Sequence, residues 1–194
     1  MKKSLLLLIF TAFTVLLFAC SDGNISSNDS FPLAKADEAL SWAKQNGVAV
    51  CEDGKCTFGL DIFEKFFEDT ENGMPGSVSC AHYYTLKKES VSEELYNAEK
   101  DTYPRLFFVN LEYDGESFIL TSRKSDLAET DYSGSFKYLR HFTGDAPETA
   151  AYSTYNYYIL VDDPEVTWED ILKGLVSSQS DAGYRHYSVL IDRE

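Results

Sequence analysis

Four side chains in the first half of the chain have the right types for thiol or metal chemistry: Cys51, Cys56, Cys80 and His82. Catalytic redox pairs favour two intervening residues and a cysteine at a helix start, whereas four residues separate Cys51 from Cys56. Cys80 and His82 are two apart on a predicted strand, so they share a face. Three sulfurs and one imidazole would form an acceptable zinc set, although the usual tight knuckle is absent.

The residues between Cys51 and Cys56 favour a disulfide over these two alternatives. Asp53-Gly54 is a strong signal for a two-residue hairpin turn, in which both positions have positive φ. Such a turn places the two cysteines opposite each other at a site without ladder hydrogen bonds, where Cα atoms lie about 4.5 Å apart. That separation is at the short end of the disulfide range. We therefore predict a Cys51–Cys56 disulfide and a buried, unpaired Cys80, and we expect no bound metal or cofactor.

The histidines are the candidates for acid–base chemistry. His82, His141 and His186 all fall on predicted strands, and a carboxylate within about 3 Å of one of them would make a catalytic pair. No phosphate-binding glycine loop, nucleophile elbow or helical zinc motif accompanies them. Each histidine is therefore interpreted as a half-buried sheet residue, and the catalytic residues are unknown.

Tyrosines supply the best hint of binding. The chain has 13 Tyr and 13 Phe, and several tyrosines lie on predicted strands. An exposed tyrosine face binds sugars or peptides well because a rigid ring gives contact area at a small loss of entropy. The alternative is structural, because tyrosine also suits a half-buried pleat. The candidate binding residues are Tyr83, Tyr84, Tyr155 and Tyr157.

These residues must be positioned by a mixed set of helices and strands. Helical spacing predicts helices at Leu33–Gly47, after a cap at Asp61, and after Thr167 with Asp170 completing a capping box. Alternation of apolar and polar residues, together with Asp-Gly turns, predicts about six longer strands besides the cysteine hairpin. The clearest predicted hairpin pairs Arg105–Tyr113 with Glu116–Arg123 around a turn at Asp114-Gly115. We predict an α+β fold, a mainly antiparallel sheet with about three helices packed against one face.

The amino-terminal residues indicate the cellular location of the protein. Lys2 and Lys3 precede an apolar stretch of about fifteen residues, shorter than the roughly 20 needed to cross a bilayer, and this pattern is typical of an export signal. Leu17–Cys20 reads Leu-Phe-Ala-Cys and resembles the lipobox of bacterial lipoprotein precursors. The resemblance implies cleavage after residue 19 and lipid on the Cys20 sulfur. Residues 20–31 are polar and are expected to form a flexible tether, followed by one globular domain at 32–194.

Charge limits the partners of such a domain. The chain carries a formal net charge of −15, so phosphate backbones repel it and nucleic-acid binding is excluded. Anionic lipid also repels it, and the membrane is therefore expected to hold the chain through lipid at Cys20. A peptide, a carbohydrate or a cationic protein are the expected partners.

Ala43 to Gly115 has a further resemblance. Its order is an Asn-Gly and a short strand, a turn, an Asp-capped helix, a glycine, a Ser-Val strand ending in Tyr-Thr, and Leu-x-Tyr-Asp-Gly. This order is similar to an uncharacterised lipoprotein domain of Gram-positive bacteria, domain of unknown function 4362. The resemblance implies a small exported lipoprotein and brings no catalytic residues with it.

Together these observations predict a lipid-anchored extracytoplasmic lipoprotein with a non-catalytic binding or accessory domain. The alternative is an extracellular, hydrolase-like enzyme with an unrecognised histidine–carboxylate site.

Overall fold

The computed structural model describes residues 31–146, 148, 150–176 and 184–194, with the backbone alone at 174–176. Within these residues the chain forms nine strands and four α-helices. The signal peptide, the lipobox with Cys20 and the tether up to residue 30 lie outside the described residues.

The regular elements alternate along the chain without a simple repeat. The helices are α1 (Ala36–Gln45), α2 (Leu60–Glu71), α3 (Glu93–Glu99) and α4 (Trp168–Val176). The strands are β1 (Ala49–Glu52), β2 (Lys55–Phe58), β3 (Gly76–Tyr84), β4 (Arg105–Tyr113), β5 (Phe118–Lys124), β6 (Tyr132–Phe136), β7 (Tyr138–Asp145), β8 (Thr154–Val161) and β9 (His186–Arg193). Two short 3₁₀ turns, Lys88–Ser90 and Lys100–Thr102, flank α3.

The strands form two sheets. The first has six strands in the order β2-β1-β3-β4-β5-β6, and every pair in it is antiparallel except β1 with β3. The second is an antiparallel sheet in the order β7-β8-β9. Lys137 alone separates β6 from β7, so the chain passes directly from one sheet to the other. The predicted α+β class with a mainly antiparallel sheet is confirmed.

The main core lies between the two sheets, because their apolar faces turn toward each other. Cys80, Val109 and Leu120 of the first sheet join Tyr158 and Leu190 of the second in one buried cluster. Helix α2 adds two rings to this layer, Phe63 and Phe66. At roughly 25 cal/mol per Å² of apolar surface removed from water, such a layer supplies the dominant stabilising contribution to the fold.

The helices do not share one face, which differs from the prediction. Helix α1 packs its alanines Ala36, Ala39 and Ala43 against the opposite face of the first sheet, together with Leu106 and Phe108. Helix α4 covers the outer face of the second sheet. The spacing of apolar residues identifies the buried stripe of a helix, but it does not select which sheet face that stripe covers.

The helix ends agree with the sequence at one site and differ at another. Thr167 and Asp170 form the predicted capping box, because Asp170 N–H donates to Thr167 Oγ1 at 3.3 Å and Thr167 N–H donates to Asp170 Oδ2 at 3.2 Å. At α2 the predicted cap is wrong: Gly59 is the capping residue, with φ of +71°, and Asp61 lies inside the first turn. Its left-handed backbone makes glycine the favoured residue here.

The two predicted Asp-Gly hairpins form different turns. Asp53 and Gly54 have φ of 50° and 85°, as a two-residue turn requires. At the second hairpin Tyr113 pairs with Phe118 across a four-residue loop, Asp114 to Ser117. Asp114 Oδ1 accepts from the backbone N–H groups of Glu116 and Ser117, each at 2.8 Å. This four-residue turn, closed by the Asp114 side chain, replaces the predicted two-residue turn.

Arg123 on β5 holds the start of the described chain. It is 4% exposed, and its guanidinium donates to the Phe31 carbonyl at 2.6 Å and the Pro32 carbonyl at 3.3 Å. The same group lies 5.8 Å from the Phe31 ring centre and 5.5 Å from that of Phe108. Carbonyl oxygens and aromatic faces together stabilise this buried charge.

None of the helices in the described part of the chain has the length and apolar character needed to span a membrane.

Candidate binding site

The four tyrosines predicted to bind lie in three different environments. Tyr83 and Tyr84 are adjacent on β3, so their side chains project to opposite faces of the first sheet. Tyr83 packs with the α1 cluster, whereas Tyr84 lies 37% exposed on the other face. Tyr155 and Tyr157 belong to the second sheet. The structure therefore does not bring the four rings into one surface.

Tyr155 and Tyr157 pack beneath α4. The Trp168 ring stacks on Tyr155 with centroids 4.4 Å apart and lies 5.1 Å from Tyr157. Tyr157 is 3% exposed, and its hydroxyl accepts from Arg193 Nε at 2.5 Å. These contacts place buried Tyr157 and half-buried Tyr155 in one aromatic cluster with Trp168, where both rings take part in packing.

Tyr83 lines a surface pocket of about 300 Å³ at the carboxyl end of β3. Two further tyrosines, Tyr96 on α3 and Tyr103 before β4, line the same pocket. We call this the tyrosine pocket, and its lining is Asp37, Tyr83, Thr85, Leu86, Tyr96, Lys100, Tyr103 and Pro104. Three rings from separate segments therefore converge with one carboxylate and one ammonium group.

One side of the tyrosine pocket is organised by a hydrogen bond. The Tyr83 hydroxyl donates to Asp37 Oδ1 at 2.7 Å. Burial, and then this bond, raises the pKa of Tyr83 to about 12, so the phenol stays protonated at neutral pH. The bond fixes the ring against α1 and leaves the second Asp37 oxygen, Oδ2, able to accept from a ligand.

Cationic side chains lie near the other two rings, Tyr103 and Tyr96. The Arg105 guanidinium lies 4.3 Å from the centre of the Tyr103 ring and is paired with Glu99. Lys88 Nζ lies 5.9 Å from the Tyr96 ring centre. Lys100, in contrast, forms no ion pair with any residue that the structure describes. Its ammonium is therefore available for a ligand.

Tyr96 and Tyr103 were not among the predicted site residues. They lie in and just after the polar stretch between β3 and β4, where apolar spacing predicts no helix, yet α3 forms there. The available signal was Ser92, whose hydroxyl caps α3 by accepting from Leu95 N–H at 3.2 Å, followed by two glutamates. Serine before acidic residues is a typical helix start.

The three histidines have no carboxylate partner among the described residues. His82 Nε2 bonds to the Val189 carbonyl at 2.8 Å, and His186 Nδ1 bonds to the Tyr184 carbonyl at 2.8 Å. His141 Nε2 lies 2.6 Å from Asn156 Oδ1, and its ring stacks on Tyr158. The described residues therefore contain no histidine–carboxylate pair of the kind that the enzyme hypothesis requires.

The cysteines meet as the hairpin register predicts. Cys51 and Cys56 are directly opposite each other, which confirms the register. Both are free thiols in this structure, as is Cys80, so the disulfide itself stays a prediction. The hydrogen bond from Cys51 lowers the pKa of Cys56 and raises that of Cys51, while burial raises the pKa of Cys80.

The zinc alternative finds no support in the described part of the chain. No group of three or more His, Cys, Asp or Glu side chains is arranged there to hold a metal ion. His82 Nε2 is hydrogen-bonded to the Val189 carbonyl. This nitrogen is therefore occupied and does not serve as a metal ligand.

The fold and pocket define an α+β domain with a small aromatic-lined surface site. Comparisons with known proteins add no relative: no family profile, curated protein or solved structure matches the chain. The resemblances to lipoprotein precursors and to the uncharacterised lipoprotein domain therefore stay predictions.

Proposed function

We propose that this chain is a lipid-anchored extracytoplasmic lipoprotein whose folded domain binds a carbohydrate in the tyrosine pocket without catalysing a reaction. The anchor rests on the lipobox-like Leu17–Cys20 and the charged, apolar residues before it. The binding role rests on one observation, the convergence of Tyr83, Tyr96 and Tyr103 on a single pocket.

The chemistry of the pocket favours a sugar. Aromatic faces contact the C–H surface of a sugar ring, while Asp37 and Lys100 offer an acceptor and a donor to its hydroxyl groups. A volume of about 300 Å³ is at the lower end of small-ligand pockets, which suits one or two sugar rings. An extended peptide would need a longer groove.

The anchor is tested by metabolic labelling of the full chain with radioactive palmitate in a bacterial host. We expect label in the wild type and none in Cys20→Ala, because the sulfur of Cys20 is the proposed lipid attachment site. Cys80→Ala removes a different cysteine and keeps the label. Recovery of an unlabelled, uncleaved wild-type chain would overturn the anchor.

Binding is tested with the full chain in a polyoxyethylene detergent, which carries neither sugar nor charge, on arrays of glycans and peptides. Tyr96→Ala and Tyr103→Ala each remove one ring and should weaken binding roughly two- to tenfold. Tyr184→Ala removes a 46% exposed tyrosine outside the pocket and should leave binding unchanged. Capture of peptides alone, or equal loss with Tyr184→Ala, would contradict the proposal.

A further inference from the structure

A second cavity lies between the two sheets and shares no residue with the tyrosine pocket. Its volume is about 190 Å³, and its lining comes from β3, β4 and β5 of the first sheet, from β9 of the second, and from the residue before β6. Three rings line it, Tyr84, Phe107 and Tyr187. Its polar lining includes His82, Ser122 and Asp131.

Aromatic rings line this cavity from two sides. Tyr84 and Phe107 meet edge to face with centroids 6.2 Å apart. His82 lies nearly parallel to Tyr84, with ring centroids 6.4 Å apart. Tyr187 faces them from β9, where the Tyr132 ring stacks on it at 5.1 Å. Because the face of an aromatic ring carries negative potential, several rings around one cavity favour a positive guest.

The charges at the cavity favour the same guest. The Asp131 carboxylate forms no ion pair with the residues that the structure describes, although it is exposed at the cavity. The neighbouring cations are already engaged, Lys124 with Asp126 at 3.2 Å and Arg185 with Asp162 at 2.7 Å. His82 is buried, which lowers its pKa and keeps it neutral at pH 7. The lining therefore carries one uncompensated negative charge.

We propose that the cavity at Tyr84, Phe107, Tyr187 and Asp131 binds the ammonium group of a small organic cation. The rings contact the methyl or methylene groups next to the nitrogen, and Asp131 supplies the opposite charge. This site is distinct from the tyrosine pocket, and a failure of carbohydrate binding there would leave it unaffected.

The proposal is tested by nuclear magnetic resonance titration of the full chain, in the same polyoxyethylene detergent, with choline and with 3,3-dimethylbutan-1-ol. The second compound has the shape of choline but carbon in place of the charged nitrogen. We expect saturable binding of choline and about tenfold weaker binding of the neutral analogue, because the electrostatic attraction of rings and carboxylate is lost. Equal affinity for the two compounds, or no saturable binding of choline, would overturn the proposal.

Two variants distinguish an effect of the Asp131 charge at the cavity from an effect of the net charge of the protein. Asp131→Asn keeps the shape of an exposed side chain and should weaken choline binding about tenfold. Glu38→Gln removes the same charge from α1, on the opposite face of the first sheet, and should leave the affinity unchanged. An equal effect of both variants would assign choline binding to the net charge of the protein and overturn the site. Tyr84→Leu removes one ring and should also weaken binding.

A last arm distinguishes a free ammonium compound from a lipid headgroup. Phosphatidylcholine dissolved in the same detergent micelles presents the same ammonium group next to a phosphate, which Asp131 repels at close range. We expect soluble choline to bind and the added phosphatidylcholine to leave its affinity unchanged. Competition by phosphatidylcholine would overturn the assignment to a free cation and favour a lipid ligand.

Discussion

His82 Nε2 and the carbonyl oxygen of Val189 lie 2.8 Å apart in a buried hydrogen bond that connects the two sheets. The carbonyl is available because Val189 is an extra residue in β9: Tyr158 pairs with Leu190 and Ile159 pairs with Ser188. A carbonyl only accepts, so Nε2 must carry the hydrogen. This single bond fixes the tautomer of a buried histidine.

The first prediction is that His82 makes the stability pH-dependent. Burial lowers the pKa of His82 below its ordinary value of 6.5, so the unfolded chain takes up this proton at a higher pH than the folded chain does. Stability is therefore complete above pH 6.5 and falls as the pH drops below it. The slope approaches at most about 1.4 kcal/mol per pH unit, the value for one proton.

Urea unfolding between pH 5 and pH 7.5 measures this slope. His82→Gln should unfold more easily at every pH but lose the slope between pH 5 and 6.5, because glutamine does not titrate. Ser122→Ala changes another buried polar side chain and should keep the slope. Among the described residues the fold also lowers the pKa of four carboxyls, which act in a more acidic range: Glu52, Asp53, Asp114 and Asp170. An unchanged slope in His82→Gln would refute the assignment.

The second prediction concerns Gly59 and Gly73, which have nearly equal φ angles of +71° and +72°. A Cβ at Gly59 would lie 3.1 Å from Ala49 Cα, whereas one at Gly73 would have no neighbour within 4 Å. Gly73→Ala should therefore cost only the left-handed backbone strain, about 1 kcal/mol. Gly59→Ala should cost at least about 1 kcal/mol more, because backbone must move. Equal unfolding free energies for the two variants would show that the close approach to Ala49 is not limiting.

The third prediction concerns the capping box of α4. Thr167→Ala removes the hydroxyl that accepts from Asp170 N–H and should lower the unfolding free energy by about 1 kcal/mol. Ser41→Ala is the matched control, because the Ser41 hydroxyl donates to the Asp37 carbonyl within α1 and not to a helix end. That change should stay within about 0.5 kcal/mol. Thermal unfolding measures both variants, and an equally small effect of Thr167→Ala would count against the box.

The fourth prediction ranks the reactivity of the cysteines. Cys56 is half-buried with a lowered pKa, whereas Cys51 and Cys80 are buried with raised pKa values. Because the thiolate is the reactive species, iodoacetamide should modify Cys56 first in the reduced protein, as read by peptide mass spectrometry. Faster modification of Cys80 would contradict this order.

Mild oxidation should then link Cys51 to Cys56 and leave Cys80 as a thiol. Since the closed loop is small, the link should raise the unfolding free energy by about 1–2 kcal/mol on the chain-entropy account. Cys56→Ala should abolish both the link and the gain. A bridge that includes Cys80 would refute the predicted pairing.

The sequence alone determined the features that depend on neighbouring residues. Asp53-Gly54 set the hairpin turn and so the Cys51–Cys56 register, because both positions need positive φ. Thr167 and Asp170 set the start of α4, and the strand Arg105–Tyr113 was predicted to the residue. Each of these features depends on backbone geometry or hydrogen bonds within a few residues, so a short stretch of sequence is sufficient to determine it.

Only the tertiary structure decided which of these elements meet. Tyr83, Tyr96 and Tyr103 share a pocket because β3, α3 and β4 come together at one end of the first sheet, while Tyr155 and Tyr157 pack under α4. Likewise, α1 and α2 carry similar apolar stripes yet cover opposite faces. Sheet order and layer packing depend on contacts between residues far apart in the chain, and local periodicity carries no information about those contacts.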